Sequence, residues 1–221
     1  MDITLKEKFV MLCYHPSKGH NLIPSYIGYG IAGAMLFELA GLKKIEIADR
    51  KVKLLDNKRT GDELLDELLD IIAKGSKPYK VKTIIGKLRW KASRLKKTIL
   101  KELVSKRYLR EEKKRFLIFG YKRYPVGNYS FRKNLLENIR RLVLRGIESE
   151  EDIPLLTGLA GACRLSPKFF RGREEQKTAR KRIREIVRES QVDKVIDETI
   201  RAIQAAVAVS VATTAAAGSS S

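Results

Sequence analysis

The chain has 221 residues, of which 43% are hydrophobic and 33% are charged, and its formal net charge is +20 at pH 7. This apolar content is sufficient for a packed core, so the composition excludes an intrinsically disordered chain and allows one domain or two small ones. No apolar run reaches about eighteen residues, and the first ten residues contain acids and no long apolar run. We therefore expect neither a membrane-spanning helix nor a signal peptide.

In chain order, the hydrophobic pattern predicts a mainly α-helical protein with two short β-hairpins. Helices are predicted over residues 5–14, 26–42, 62–74, 80–91, 93–107, 128–144, 153–163, 173–189 and 192–217. The hairpins are predicted over 44–55 and over 108–121, the second with a charged turn at 112–115. The helix over 26–42 is rich in Gly and Ala, which let neighbouring backbones approach closely, so we expect it at the centre of a helical core surrounded by amphipathic helices.

We expect residues 1–217 to form a single domain and residues 218–221 to form a disordered tail. The positive charge of this domain is concentrated in residues 74–123, which contain nineteen Lys or Arg and three Glu, a net charge of +16. Such a field raises the local concentration of polyanions. Two partners fit it, namely the phosphates of a nucleic acid and an anionic membrane leaflet.

The segment 28–33 matches the glycine pattern GxGxxG of dinucleotide-binding proteins. That motif requires a strand that runs directly into the first glycine, and Pro24 is unfavourable in a central strand. No second strand–helix–strand unit follows. We therefore interpret these glycines as helix-packing residues and predict no cofactor.

Other chemistry-bearing residues are few. The chain contains two histidines, His15 and His20, which share one predicted loop without a Cys or carboxylate cluster beside them, so no metal site is predicted. Cys13 and Cys163 are far apart in sequence, which favours a reduced, cytoplasmic protein with both thiols in the core. Since no nucleophile elbow, phosphate-binding loop or paired carboxylates are visible, the sequence predicts a protein that is not an enzyme.

The basic segment 93–121 supports an alternative function in nucleic-acid binding. A helix followed by a hairpin is how a winged helix ends, and Lys97 and Lys101 lie on the basic side of that helix. The same two lysines are candidates to face an anionic membrane if the protein binds lipid. No Asn or Gln lies between Lys91 and Arg107 to recognise base edges, so such binding would be driven by phosphate contacts.

Seven segments, in order, resemble the Golgi phosphoprotein 3 family, whose eukaryotic members are peripheral Golgi proteins that bind phosphatidylinositol 4-phosphate. The resemblance covers nearly the whole chain, and its departures from the eukaryotic pattern indicate a prokaryotic member. The segments that carry it are ITLKEKFVML (3–12), GAMLFELA (33–40), KKIEI (43–47), TGDELLDELL (60–69), LKKTILKELVSKRYLREEKKRFLIFGYKRYPV (95–126), LAGACRLSPKFF (159–170) and ARKRIREI (179–186).

The resemblance also implies a headgroup site. The family's pocket combines an aromatic residue and an Arg near the small-residue helix with basic residues at the start of the helix after a Pro, here Pro125. In this chain the basic residues correspond to Arg132 and Lys133. The family's Arg position falls at Ala32 and the aromatic position falls near Ile23 or Pro24. This pattern implies binding of anionic phospholipids, phosphoinositides included, without tight preference for phosphatidylinositol 4-phosphate.

Stable membrane association usually needs an apolar signal in addition to positive charge. Phe169 and Phe170, followed by Arg171, are the candidate from the sequence, and a core pair is the alternative interpretation. In the family, the tip that corresponds to residues 145–152 aids membrane insertion and self-association; it is shortened here, and a homo-oligomer remains an expectation. We thus expect a cytoplasmic protein, peripherally associated with anionic membranes, with protein clients that the sequence does not identify.

Overall fold

The computed structural model describes residues 3–116, 119–147, 152–189 and 194–218. Over these residues the prediction of a mainly α-helical fold with short hairpins is confirmed. The helices are α1 (Leu5–Leu12), α2 (Ile27–Gly41), α3 (Glu63–Ala73), α4 (Val81–Trp90), α5 (Ala92–Ser105), α6 (Tyr129–Arg145), α7 (Asp152–Ala162), α8 (Gly172–Glu189) and α9 (Lys194–Gly218). The strands are β1 (Ile45–Ala48), β2 (Lys51–Leu54), β3 (Tyr79–Lys80), β4 (Glu112–Phe116) and β5 (Phe119–Arg123).

Helix α2 lies at the centre, as the small residues predict, and it packs against α1, α4, α5, α7 and α9. Its glycines make this close packing possible. A Cβ at Gly30 would lie 2.0 Å from Cζ of Phe9, and one at Gly33 would lie 2.5 Å from Cδ1 of Ile203. The GxGxxG segment therefore lies inside a helix and serves helix packing, as the sequence indicates.

Local signals position the surrounding helices. The Asp62 side chain accepts hydrogen bonds from the backbone N–H groups of Leu64 and Leu65, both at 3.0 Å, and so caps the N-terminus of α3. Helix α5 buries Leu95, Ile99 and its other apolar residues against α1 and α2 and leaves its basic side exposed. The amphipathic pattern thus determines which side of each helix faces the core.

Strands β1 and β2 form the predicted first hairpin, and Asp49 and Arg50 at its turn both have positive φ angles (52° and 59°). This is the geometry that a two-residue hairpin turn requires. A third strand, β3, pairs with β2 and was not predicted, because two residues are too few to show an alternating pattern. A short 3-10 helix, Ser166–Lys168, was not predicted either.

The prediction for the second hairpin places the turn at the wrong residues. Residues 112–115, expected as a turn, belong to β4, which pairs with β5 so that Glu112 faces Arg123 and Phe116 faces Phe119. Most described side chains of this two-stranded ribbon are exposed. Charged residues can therefore occupy the strand without the apolar alternation that marks a half-buried strand. Residues 117 and 118 lie outside the described residues.

Two further expectations fall at least partly outside the described residues. The expected tail begins at Gly218, which is the last residue of α9, and residues 219–221 are not described. The shortened tip includes 148–151, which are not described. In the described part of the chain, no helix combines the length and the apolar character needed to cross a membrane.

Candidate functional site

The N-terminus of α6 is joined to the loop formed by residues 15–20. Val126 donates its N–H to the carbonyl oxygen of Pro16 (2.8 Å), and Tyr124 donates to that of Gly19 (2.8 Å). Gly19 has a φ of +63°, and a Cβ there would lie 2.5 Å from the backbone nitrogen of Pro125. Only glycine allows this approach without displacement of the backbone. The contact holds the loop beside the first turn of α6.

Arg132 lies in that first turn and is partly buried. Its Nε atom is buried and has no hydrogen-bond partner among the described residues. Burial lowers the pKa of Arg132 from its usual range, and this effect outweighs the opposing influence of Tyr129. A partly buried guanidinium group with an unsatisfied donor is unfavourable, and an anion is the partner that would balance its charge.

The loop brings His15 close enough to Arg132 for their charges to interact, and Lys18 lies beside His15 on the same loop. The pKa of His15 is held below its usual value of 6.5 by burial first and then by the charges of His20, Lys18 and Arg132. Its Nδ1 accepts a hydrogen bond from the backbone N–H of Lys18 at 3.0 Å, so Nδ1 carries no proton. The neutral ring therefore bears its proton on Nε2, and at pH 7 the positive charge of the site comes from Arg132 and Lys18.

Lys133, the second residue expected at this site, projects in a different direction. Neighbouring residues of a helix differ by about 100° in direction, so they do not face one another. The Lys133 side chain is exposed, lies 3.9 Å from the Glu137 carboxylate and lines a surface depression of about 540 Å³ with Asn128 and Asn134. The structure thus brings Arg132 together with the loop residues and leaves Lys133 to one side.

Lys18 and His15 were not predicted as site residues. They precede Arg132 by more than a hundred positions, and nothing local in the sequence joins them to it. Pro16 and Gly19 were sufficient to predict the loop from the sequence. Its attachment to the segment before α6 depends on long-range backbone hydrogen bonds, which the sequence does not show.

The remaining basic candidates lie at the surface. Lys97 and Lys101 are both exposed and are one turn apart on α5, so they point to the same side. Arg171 is exposed at the start of α8, where its backbone N–H donates to the Glu175 carboxylate. These side chains can contribute to a positive surface, but they do not converge with Arg132 on one pocket.

Phe169 and Phe170 form a core pair and are not an exposed apolar signal, with 7% and 4% of their surface accessible. The Arg140 guanidinium donates to the carbonyl oxygen of Phe169 (2.8 Å) and lies over the Phe170 ring, 5.7 Å from its centre. The sequence left both interpretations open because an apolar pair beside a cation fits a membrane contact and a core edge equally well.

The positions that correspond to the family's Arg and aromatic residue add no charge or ring to the site. Ala32 and Ile23 are buried, and Pro24 is exposed. Within the described ranges there is also no group of three or more His, Cys, Asp or Glu arranged to hold a metal ion.

The Golgi phosphoprotein 3 (GPP34) family model matches residues 5–206. The chain is 27% identical over 169 residues to vacuolar protein sorting-associated protein 74 of Eremothecium gossypii, a match that covers 66% of this chain and 51% of the relative. It is also 27% identical over 158 residues to the protein of the same name from Schizosaccharomyces pombe, with 62% and 47% covered. The chain therefore spans about half the length of the curated relatives it matches.

Proposed function

Because the chain belongs to the Golgi phosphoprotein 3 family, we propose that it is a peripheral membrane protein that binds anionic phospholipid headgroups and catalyses no reaction. The observation that carries the proposal is Arg132, a partly buried cation whose Nε has no hydrogen-bond partner in the described part of the chain. A phosphate at this partly exposed side chain supplies the negative charge that the group lacks.

The headgroup site consists of Arg132 and the first turn of α6, with Lys18 on the adjacent loop as a further cation. The free N–H groups at a helix N-terminus favour an anion, which adds to the attraction of the two side chains. Lys133 contributes from the neighbouring depression as a second, weaker contact. Since Ala32 and Ile23 offer no cation or ring, the site recognises phosphate in general and does not select phosphatidylinositol 4-phosphate.

The positive surface assists the headgroup site. Each Lys or Arg held near an anionic leaflet contributes about 1 kcal/mol, and the effect decays within a Debye length. Exposed residues such as Lys97 and Lys101 on α5 provide this attraction. Anionic lipids are concentrated in the cytoplasmic leaflet, so the protein acts on the cytoplasmic side of its membrane.

Nucleic-acid binding is not proposed. The family model and the two relatives named above give it no support. Helix α5 packs its apolar side into the core, and its exposed side carries positive charge without an Asn or Gln that could recognise adenine.

Co-sedimentation with phosphatidylcholine vesicles of graded phosphatidylserine or phosphoinositide content tests the proposal. Binding should increase with anionic content and decrease as salt rises. Arg132→Ala should weaken binding by about tenfold or more, since a hydrogen bond to a charged group contributes about 1.5–3 kcal/mol. Arg141→Ala, which removes an exposed cation later on α6, is the matched control and should have a small effect. Equal sedimentation with neutral and anionic vesicles at low salt would refute the proposal.

A further inference from the structure

Trp90 is the one tryptophan of the chain, and 88% of its surface is accessible. Tryptophan is usually largely buried, because its ring is the largest apolar side chain. It is also the only large apolar side chain exposed on α3, α4 or α5 in the described part of the chain. Its exposure therefore needs an explanation other than general surface composition.

The backbone around Trp90 is held in place, so the exposure is a property of the fold. Trp90 is the last residue of α4, and α5 begins two residues later. Leu88 before it and Leu95 after it are fully buried. A Cβ at Gly28 of α2 would lie 2.7 Å from the Ala92 Cβ, so the corner between α4 and α5 lies tightly against the central helix. With both sides anchored, the Trp90 ring is directed outward.

Basic residues stand next to Trp90 in sequence on the same corner. The Arg89 guanidinium lies over the Tyr29 ring (5.5 Å), and Lys91 Nζ lies 2.6 Å from the Glu67 carboxylate. Lys87, one turn before Lys91, lies over the Tyr79 ring. With Arg94, which pairs with Glu63 and Glu67, four basic residues stand against two carboxylates here. The corner therefore combines one exposed indole ring with a net positive charge.

We propose that Trp90 is an interfacial membrane anchor, and this proposal rests on the proposed function. The Trp90 side chain supplies the apolar signal that Phe169 and Phe170 cannot provide. An indole ring prefers the interface between headgroups and acyl chains, where its apolar face and its N–H are both accommodated. The surface area of a single ring is much smaller than the roughly 1,200 Å² that a stable protein–protein interface buries. The net positive charge of the corner is complementary to an anionic leaflet.

The corner and the headgroup site lie near opposite ends of α5. This helix has 14 residues and is about 21 Å long. Beyond its C-terminus, Tyr108 accepts a backbone hydrogen bond from Gly127 (2.8 Å), directly before α6. The exposed Lys97 and Lys101 lie between the two ends. Charge at one end and an inserted ring at the other provide the two signals that stable peripheral binding requires.

Because Trp90 is the only tryptophan, the fluorescence of the unmodified protein reports on this side chain alone when tyrosine is not excited. On addition of phosphatidylcholine vesicles that contain phosphatidylserine, the emission should shift to shorter wavelength and should be quenched by lipids brominated near the headgroup. If the protein sediments with these vesicles and its emission does not change, the anchor is refuted and the proposed function stands. If the protein does not sediment with them, both are refuted.

Variants provide an independent test. Trp90→Ala should reduce the vesicle partition coefficient by about fivefold or more, and Trp90→Phe should retain part of it. Leu55→Ala, which removes another half-exposed apolar side chain, is the control and should bind like the wild type. All three should melt like the wild type, because the replaced side chains contribute little to the core. An unchanged partition coefficient of Trp90→Ala would overturn the anchor. An emission shift that depends on protein concentration in the absence of vesicles would also overturn it, in favour of self-association through Trp90.

Discussion

Replacement of Lys6 by Met should destabilise the protein strongly, because Lys6 is a completely buried cation. Its Nζ lies 2.8 Å from Oε2 of Glu38 and 2.5 Å from Oδ2 of Asp62. Its backbone N–H also donates to Oε1 of Glu38 at 2.7 Å. One ammonium group thus compensates two carboxylates from α2 and the start of α3, and Met would fill the space without the charge.

The pKa shifts agree with this arrangement. Burial lowers the pKa of Lys6, but the Glu38 charge and the hydrogen bonds to Asp62 and Glu38 outweigh burial and raise it above 10.5. Burial raises the pKa of Glu38, Asp62 adds to the rise, and Lys6 opposes it. Lys6 therefore contributes stability that is present below its unfolded pKa and is lost as pH rises through its folded pKa.

At the 2.8 Å separation of Lys6 and Glu38, the attraction is about 6 kcal/mol for an effective dielectric constant of about 20. Much of it offsets the cost of burial, and removal of one partner from a buried pair typically costs about 3–5 kcal/mol. For a chain of this size, each kcal/mol lowers Tm by about 2–4 °C, so Lys6→Met should lower Tm by about 6–20 °C.

Thermal and urea unfolding followed by circular dichroism measure this effect. Lys53→Met, which removes an exposed lysine 3.9 Å from Glu46, is the control and should stay within about 0.5 kcal/mol of the wild type. Adding Glu38→Gln to Lys6→Met should restore part of the loss, since no ionised Glu38 then remains without its partner. The deficit of Lys6→Met should also shrink as pH falls from neutral and Glu38, whose pKa is raised, becomes protonated. Wild-type Tm in Lys6→Met, or no recovery in the double variant, would refute the reasoning.

Two further predictions concern the core. Gly30→Ala should destabilise the protein by about 1–3 kcal/mol because its Cβ would overlap the Phe9 ring. Gly86→Ala on α4, whose Cβ would meet no atom within 4 Å, should instead stabilise the protein by about 0.5–1 kcal/mol. Equal midpoints of urea unfolding for the two variants would contradict this contrast. Burial raises the pKa of both Cys13 and Cys163, so thiol reagents should modify them only as fast as the protein unfolds, and rapid labelling of the native protein would show that one is accessible.

The sequence determined the features that depend on neighbouring residues. The spacing of Leu64, Leu65, Leu68 and Leu69 is sufficient to define the buried side of α3, and Asp62 is sufficient to begin it, because helix periodicity and capping act within one or two turns. The small residues of α2 likewise indicated the central helix. The segment resemblance indicated the family, since order and spacing along the chain need no tertiary information.

Only the tertiary structure decided the features that depend on residues far apart in sequence or on exposure. The partners of Lys6 are 32 and 56 positions away. The loop of His15 and Lys18 is held beside α6 by long-range hydrogen bonds from the backbone of the segment before α6 and from the Tyr129 hydroxyl. The pattern of residue types did not distinguish a buried aromatic residue from an exposed one. Phe170 is buried and Trp90 is exposed, although both stand beside cations in sequence. The difference arises because packing against other elements, and not the side chain's own polarity, determines which surface remains in contact with water.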